Sequence, residues 1–314
     1  MNKKKIKITG TFLDEISHDI PHQNWGANEW SEDFIWMSKA DLKRVILIRC
    51  GYKNWITYPS EILIKQEKAI RPHWDLVSFF LQCCEKNNFE FYFGLYDSGK
   101  YWVIGDYKKE IQLNKKIISE VWHLYGHSKA FKGWYLSQEC SHNSGEIIEL
   151  YHELGSHCKS VSNGLAVLIS PYIDGEKNVS QYITNTQKKS SITLDDHFKS
   201  WNEIFSGIRS AVDIVAFQDG HVHYDQLYEF IKVNKELADQ NKMTSWINSE
   251  TFDRDMPIKF LPIKWDKLRF KLDTAFKAGI EDAITFEFSH FMSPQSSYLQ
   301  AGHLYNRYLE YLKE

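Results

Sequence analysis

The sequence lacks most of the features that would assign it quickly. Its five cysteines, Cys50, Cys83, Cys84, Cys140 and Cys158, are odd in number and form no CxxC pair. A disulfide framework is therefore not expected, and a reducing compartment fits better. No stretch approaches the ~20 apolar residues that span a bilayer. Charge of one sign is also missing: the net charge is -3 and the pI about 6.5. That balance carries neither a nucleic-acid nor a membrane-surface footprint. Met1–Lys5 is basic, but Ile6–Thr11 is too short and polar for the apolar core of a leader. The expected location is cytoplasmic, or secreted if a leader has been removed. There is no GxGxxG after the first strand, no GxSxG elbow and no P-loop, so dinucleotide, serine-hydrolase and nucleotide readings have no motif to rest on. No linker or low-complexity segment divides the 314 residues.

What is present is ordinary in bulk and unusual in its aromatics. Apolar residues make 43% of the chain and charged ones 25%, as in a globular protein able to bury a large core. Eleven Trp, seventeen Tyr and nineteen Phe make 15%. Most should fill the core, but aromatic faces also stack on the apolar faces of sugar rings, and Trp25, Trp55, Trp102, Tyr172, Trp246 and Phe252 are candidates for that role.

Short β-branched or aromatic runs alternate with helical periodicity along the chain. Strands are expected at Ile6–Leu13, Arg44–Tyr52, Glu90–Tyr96, Gly133–Ser137, Gly164–Pro171, Asp213–Phe217, Met243–Asn248 and Ala283–Phe288. The helices after them fall at Ser31–Leu42, Pro72–Asn88, Lys115–Tyr125, Ser144–Val161, Thr193–Ser210, Tyr224–Asn241, Trp265–Ala278 and Ser296–Leu312. Strict alternation implies a parallel sheet, and eight units at this length predict an α/β fold, one (β/α)₈ TIM barrel over residues 1–314. An open doubly wound sheet is the rival. The longest loops are expected at 53–71, 97–114, 172–192 and 251–264.

Barrel chemistry gathers where strands end, and here those ends are rich in acids. Asp14, Asp97, Glu139, Asp219 and Glu250 stand there, and Glu287 lies inside strand eight. The opposite rim has no such concentration. Cleavage of a glycosidic bond needs two carboxyl groups with divided roles, and strands four and seven lie nearly opposite in an eight-strand ring. Arg49 could hold a carboxylate ionised or bind a substrate oxygen. The candidate catalytic residues are Glu139, Glu250 and Asp219. The candidate substrate-binding residues are Arg49, Gln138, Tyr96, Asp97, Tyr172, His221, Trp246, Asn248 and Glu287. No cofactor is expected. A metal-dependent hydrolase, built on His221-x-His223 with Asp219, and a non-catalytic barrel that binds a glycan are the alternatives. The partner expected is a carbohydrate, with no nucleic acid and no membrane, and the sequence leaves the oligomeric state open.

Gly10–Phe12 (GTF), the YLSQE run ending at Glu139, Phe217–Gly220 (FQDG) and the WxxxE ending at Glu250 together resemble the family called domain of unknown function 4434, a bacterial family of glycosidase-like barrels. More broadly, the chain resembles the clan of barrel glycosidases with catalytic carboxylates on strands four and seven. The resemblance implies a retaining glycosidase with Glu139 as acid/base and Glu250 as nucleophile. The chain departs from that pattern in two places. Gln138 replaces the usual Asn before the acid, and strand six presents Asp219 and His221.

Overall fold

The structure, a computed structural model, describes residues 5–17, 20, 22–175, 191–254 and 260–314. The basic residues 1–4 and the greater part of the expected loop 172–192, residues 176–190, lie outside the described residues, as do 255–259 of the expected loop 251–264.

Eight parallel strands close into a barrel. They are β1 (Ile8–Leu13), β2 (Arg44–Leu47), β3 (Glu90–Gly94), β4 (Phe131–Tyr135), β5 (Ala166–Ile169), β6 (Ile214–Gln218), β7 (Thr244–Asn248) and β8 (Ala283–Thr285). β1 pairs with both β2 and β8, which closes the ring. The helices that cover it are α1 (Ala27–Lys39), α2 (Leu76–Asn87), α3 (Tyr107–Tyr125), α4 (Ile147–Val161), α5 (Leu194–Ile208), α6 (Leu227–Gln240), α7 (Trp265–Lys277) and α8 (Leu299–Lys313). The (β/α)₈ expectation is met.

Successive side chains on a strand point to opposite faces, and this period sorts the whole barrel. Phe12, Ile46, Tyr92, Tyr135, Leu168, Ile214, Ala216, Trp246 and Ile284 pack inside the ring. Their strand neighbours Leu13, Val45, Phe93, Trp134, Val167, Val215, Phe217 and Ile247 pack outward against the helices. Each such fully buried apolar side chain contributes about 1.5–3 kcal/mol.

Two boundaries differ from the sequence reading in ways that matter. Asp106 caps α3 by accepting from the Lys109 amide, so that helix begins at Tyr107 rather than Lys115. Its first turns hide because polar residues share their buried face with Ile111 and Leu113. Glu110 and Asn114 are wholly buried, where they bond the backbone of Tyr96 and Ser98 and the side chain of Gln138. Pro72 precedes its helix instead of opening it; the cap is Asp75, which accepts from Ser78 N at 2.9 Å. The loop after β2 also carries a short helix, Glu61–Glu67, and contributes Gly51–Tyr52 and Trp55–Ile56 to a small three-stranded sheet completed by Tyr96–Asp97. All five cysteines are free and buried. Among the described residues, no helix is long and apolar enough to cross a membrane.

Candidate active site

The C-terminal ends of the strands surround a cleft of about 260 Å³. Glu139, four residues past Tyr135 on the same inward face, points into it from β4. Its carboxylate is held at both oxygens: the Tyr135 hydroxyl donates to Oε1 at 2.7 Å, and Gln218 Nε2 from β6 donates to Oε2 at 2.9 Å. Gln218 is itself fixed by the Ser170 carbonyl at 2.8 Å. Burial pushes the Glu139 carboxyl above its ordinary pKa, against the opposing charge of Arg49 and the two hydrogen bonds.

Glu250 enters from β7 and is 1% exposed. Arg254 grips it with two parallel bonds, Nε to Oε2 and Nη2 to Oε1, both 2.7 Å. Burial works to raise this group as well, but the charges of Arg254, Lys271 and His221 outweigh it and hold Glu250 below its ordinary value. Two carboxyl groups lining one cleft are therefore displaced in opposite directions.

Asp219 stands one position beyond Gln218 and faces the other way, into the layer between barrel and helices. There it forms an ion pair with Lys271 of α7 at 2.6 Å, the two side chains being 0% and 4% exposed. The same carboxylate accepts from Ser249 Oγ at 2.8 Å and from the Glu250 amide at 3.1 Å, while Lys271 Nζ donates to the Glu250 carbonyl at 3.0 Å. Asp219 and Lys271 thus clamp the backbone on either side of the Glu250 side chain. Gly220 is required beside them because a Cβ there would run into the Glu250 carboxylate and Arg254.

Of the residues singled out from the sequence, Glu139, Glu250, Arg49, Tyr172, His221 and Asn248 line the cleft together. The others are engaged elsewhere. Gln138 alternates outward from Glu139 and donates to the Tyr96 carbonyl and to Glu110. The ring of Tyr96 packs in the outer core, its hydroxyl on the Lys53 carbonyl. Asp97 accepts from the Gly99 amide and the Trp102 indole and lies 3.4 Å from Arg49. Trp246 fills the barrel interior beneath the site, with the Arg44 guanidinium 4.4 Å from its ring. Glu287 caps the short helix Phe288–Phe291 and bonds the His290 ring at 2.5 Å. Among the further aromatic candidates, Phe252 lines the cleft, whereas Trp25 packs edge-on against Trp30 at 5.1 Å.

Arg254, Tyr135 and Gln218 were missed in the sequence reading, as was Lys271. Gln218 follows directly on the expected strand Asp213–Phe217 and Tyr135 opens the YLSQE run, whereas Arg254 and Lys271 carry no such signal. Phe260 and Phe286 join Phe252 to form the apolar wall of the cleft. Two buried polar atoms in the lining, Arg49 Nε and Asn248 Oδ1, have no hydrogen-bond partner among the described residues. Among those residues no group of three or more His, Cys, Asp or Glu is arranged to hold a metal ion.

Comparison with solved structures places this geometry in context. The chain is 54% identical to a Bacteroides thetaiotaomicron protein described as a "putative alpha-L-fucosidase", with a TM-score of 0.94 over 99% of this chain and 94% of that one. It shares its fold with an endo-1,4-β-D-mannanase from Thermotoga petrophila, at 11% identity and a TM-score of 0.56 over 90% of this chain and 88% of that one. It shares it also with a family 1 β-glucosidase from Thermotoga maritima, at 11% identity and a TM-score of 0.55 over 92% and 89%. No curated protein matches the sequence. The model of domain of unknown function 4434 matches residues 8–298, nearly the whole barrel, and the chain belongs to that family.

Proposed function

We propose that the protein is a retaining glycoside hydrolase in which Glu139 is the acid/base and Glu250 the nucleophile. The observation that carries this reading is that two carboxyl groups line one cleft in different settings, Glu139 held by a hydroxyl and an amide and Glu250 gripped by Arg254, since one must arrive protonated and the other ionised. In the first step Glu139 gives its proton to the glycosidic oxygen while a Glu250 oxygen attacks the anomeric carbon. The carbon–oxygen bond to the leaving group breaks and a glycosyl ester forms. In the second step the Glu139 carboxylate takes a proton from water, which attacks the same carbon and releases Glu250. Each carboxylate oxygen has two lone pairs, so the grip of Arg254 leaves one free for attack. Arg49 steadies Glu139 during the interval in which it is charged. Arg49 Nε and Asn248 Oδ1 are a donor and an acceptor suited to sugar hydroxyls. The Bacteroides relative makes an α-L-fucoside the first substrate to try.

The test is a screen of 4-nitrophenyl glycosides, the α-L-fucoside first and the β-mannoside, β-glucoside and β-xyloside beside it, on the wild type and Glu139→Gln. The wild type should release nitrophenol from at least one. The variant should lose about 10²–10⁴-fold in kcat/KM on the corresponding natural glycan, whose poor leaving group needs protonation. Equal rates from both proteins on that natural glycan would remove Glu139 from the mechanism.

The pH profile follows from the same pair. Glu250 must be deprotonated, so the acid limb of kcat/KM should fall below the ordinary carboxylate range. Glu139 must be protonated, so the basic limb should lie above it. Arg254→Met removes the charge that holds Glu250 down, and should move the acid limb to higher pH and the basic limb upward by less, because Arg254 also acts on Glu139. An acid limb unmoved in that variant would mean that another group sets it.

A further inference from the structure

We infer that the outer face of the small sheet beside the mouth, carrying Trp55 and Tyr52, is a platform for the leaving-group sugar of the glycan. This deepens the glycosidase reading and rests on it. Within this sheet Tyr52 pairs directly with Trp55 on one side and with Asp97 on the other. Residues in register share a face, so Trp55, Tyr52 and Asp97 form one row. The alternate row, Ile56, Gly51 and Tyr96, faces inward, with Ile56 and Tyr96 in the outer core. Along this row Trp55 is exposed, Tyr52 half-buried and Asp97 buried. Trp55 is 59% exposed on it, and Ile70, bridged to Trp55, is 44% exposed.

Arg49 joins this face to the cleft. Arg49, which lines the cleft, reaches Asp97 at 3.4 Å and lies 5.4 Å from the centre of the Tyr52 ring. Asp97 also anchors the Trp102 indole at 2.9 Å, and the next two residues, Val103 and Ile104, are 65% and 77% exposed. The chemistry sets the direction. The proton donor stands beside the departing oxygen, so the leaving group lies on the Glu139 side of the cleft, and Arg49 is the charged residue nearest that acid in effect. A leaving sugar on that side meets the loops after β2 and β3, which carry this sheet. The tryptophan face suits the apolar face of a pyranose, and Arg49, whose Nε has no hydrogen-bond partner among the described residues, suits its hydroxyl rim.

The test is calorimetric titration of Glu139→Gln, which retains the site but is slow to cleave, with fucosyllactose, mannotriose and cellotriose and with the monosaccharides fucose, mannose and glucose. At least one trisaccharide should bind more tightly than its monosaccharide. Adding Trp55→Ala should weaken that trisaccharide roughly tenfold while leaving the monosaccharide unchanged, and Trp55→Phe should recover most of the loss. The exposure of Trp55 makes both variants compatible with folding. The platform is overturned if no trisaccharide gains over its monosaccharide, or if Trp55→Ala binds all three as the parent does. Hydrolysis of the same glycans by the wild type is read separately. Binding through Trp55 without any cleavage would keep this face as a glycan-binding face but overturn both the glycosidase reading and the assignment of the bound sugar as a leaving group.

Discussion

Glu250→Gln is expected to lower kcat/KM on the order of 10⁴-fold or more, for good and poor leaving groups alike. The amide is nearly isosteric but carries no charge and cannot form the glycosyl ester, so the loss falls on the first chemical step whatever departs. Glu139→Gln should behave differently, because a leaving group that needs no proton bypasses the acid. The contrast between the two variants across a leaving-group series separates their roles more securely than either loss alone. Azide, a small anionic nucleophile, adds a second contrast. It should speed turnover in Glu139→Gln, where the glycosyl ester forms and waits for an activated water, and should do nothing comparable in Glu250→Gln. Equal losses in the two variants across the whole series would contradict the division of roles.

The second large effect is on stability. Lys271→Met should cost about 3–5 kcal/mol, because it leaves the Asp219 carboxylate buried without a counter-charge. The corresponding fall in Tm is on the order of 10 °C. The double variant Lys271→Met with Asp219→Leu should regain part of that loss, since a buried pair replaced whole by apolar groups carries no orphaned charge. Activity should not return with it. Asp219 and Lys271 bond the amide and carbonyl of Glu250, and without them the carboxylate loses its fixed position. Thermal denaturation of the three variants beside their kcat values checks both halves. A Lys271→Met variant as stable as the wild type would mean that this pair does not anchor β7 to α7.

The barrel was legible in the sequence because β-strand and helix periods alternate without interruption, and the acidic strand ends pointed to the mouth. Two of the candidates that were placed elsewhere, Gln138 and Asp219, follow the two-residue period of a strand. Tyr135, Ser137 and Glu139 lie on one face of their run, so Gln138 between them must turn outward toward Glu110. Ile214, Ala216 and Gln218 point inward, so Asp219 must face α7 and Lys271. A reading that fixed the inward face first would have put Gln218 in the cleft and Asp219 behind it. Gly220 lies in the turn after β6 and also leaves room for the Glu250 carboxylate, a close approach that no sequence period reveals. Arg254 lay beyond such reasoning, since no periodicity governs a loop residue and its place follows from the chain path after β7. The start of α3 was hidden because buried Glu110 and Asn114 break the apolar stripe that marks a helix.

One measurement addresses the role of Glu250 as nucleophile directly. Wild-type protein is incubated with the 2-deoxy-2-fluoro glycosyl fluoride of the sugar found in the screen; the good leaving group permits the first step and the electron-withdrawing fluorine slows the second. Peptide mapping by mass spectrometry then locates the trapped sugar. The proposed mechanism predicts one added glycosyl group per chain, on the peptide that contains Glu250, with activity lost in step. A label on Asp219, Glu139 or another residue, or steady turnover of the probe with no label at all, would contradict it.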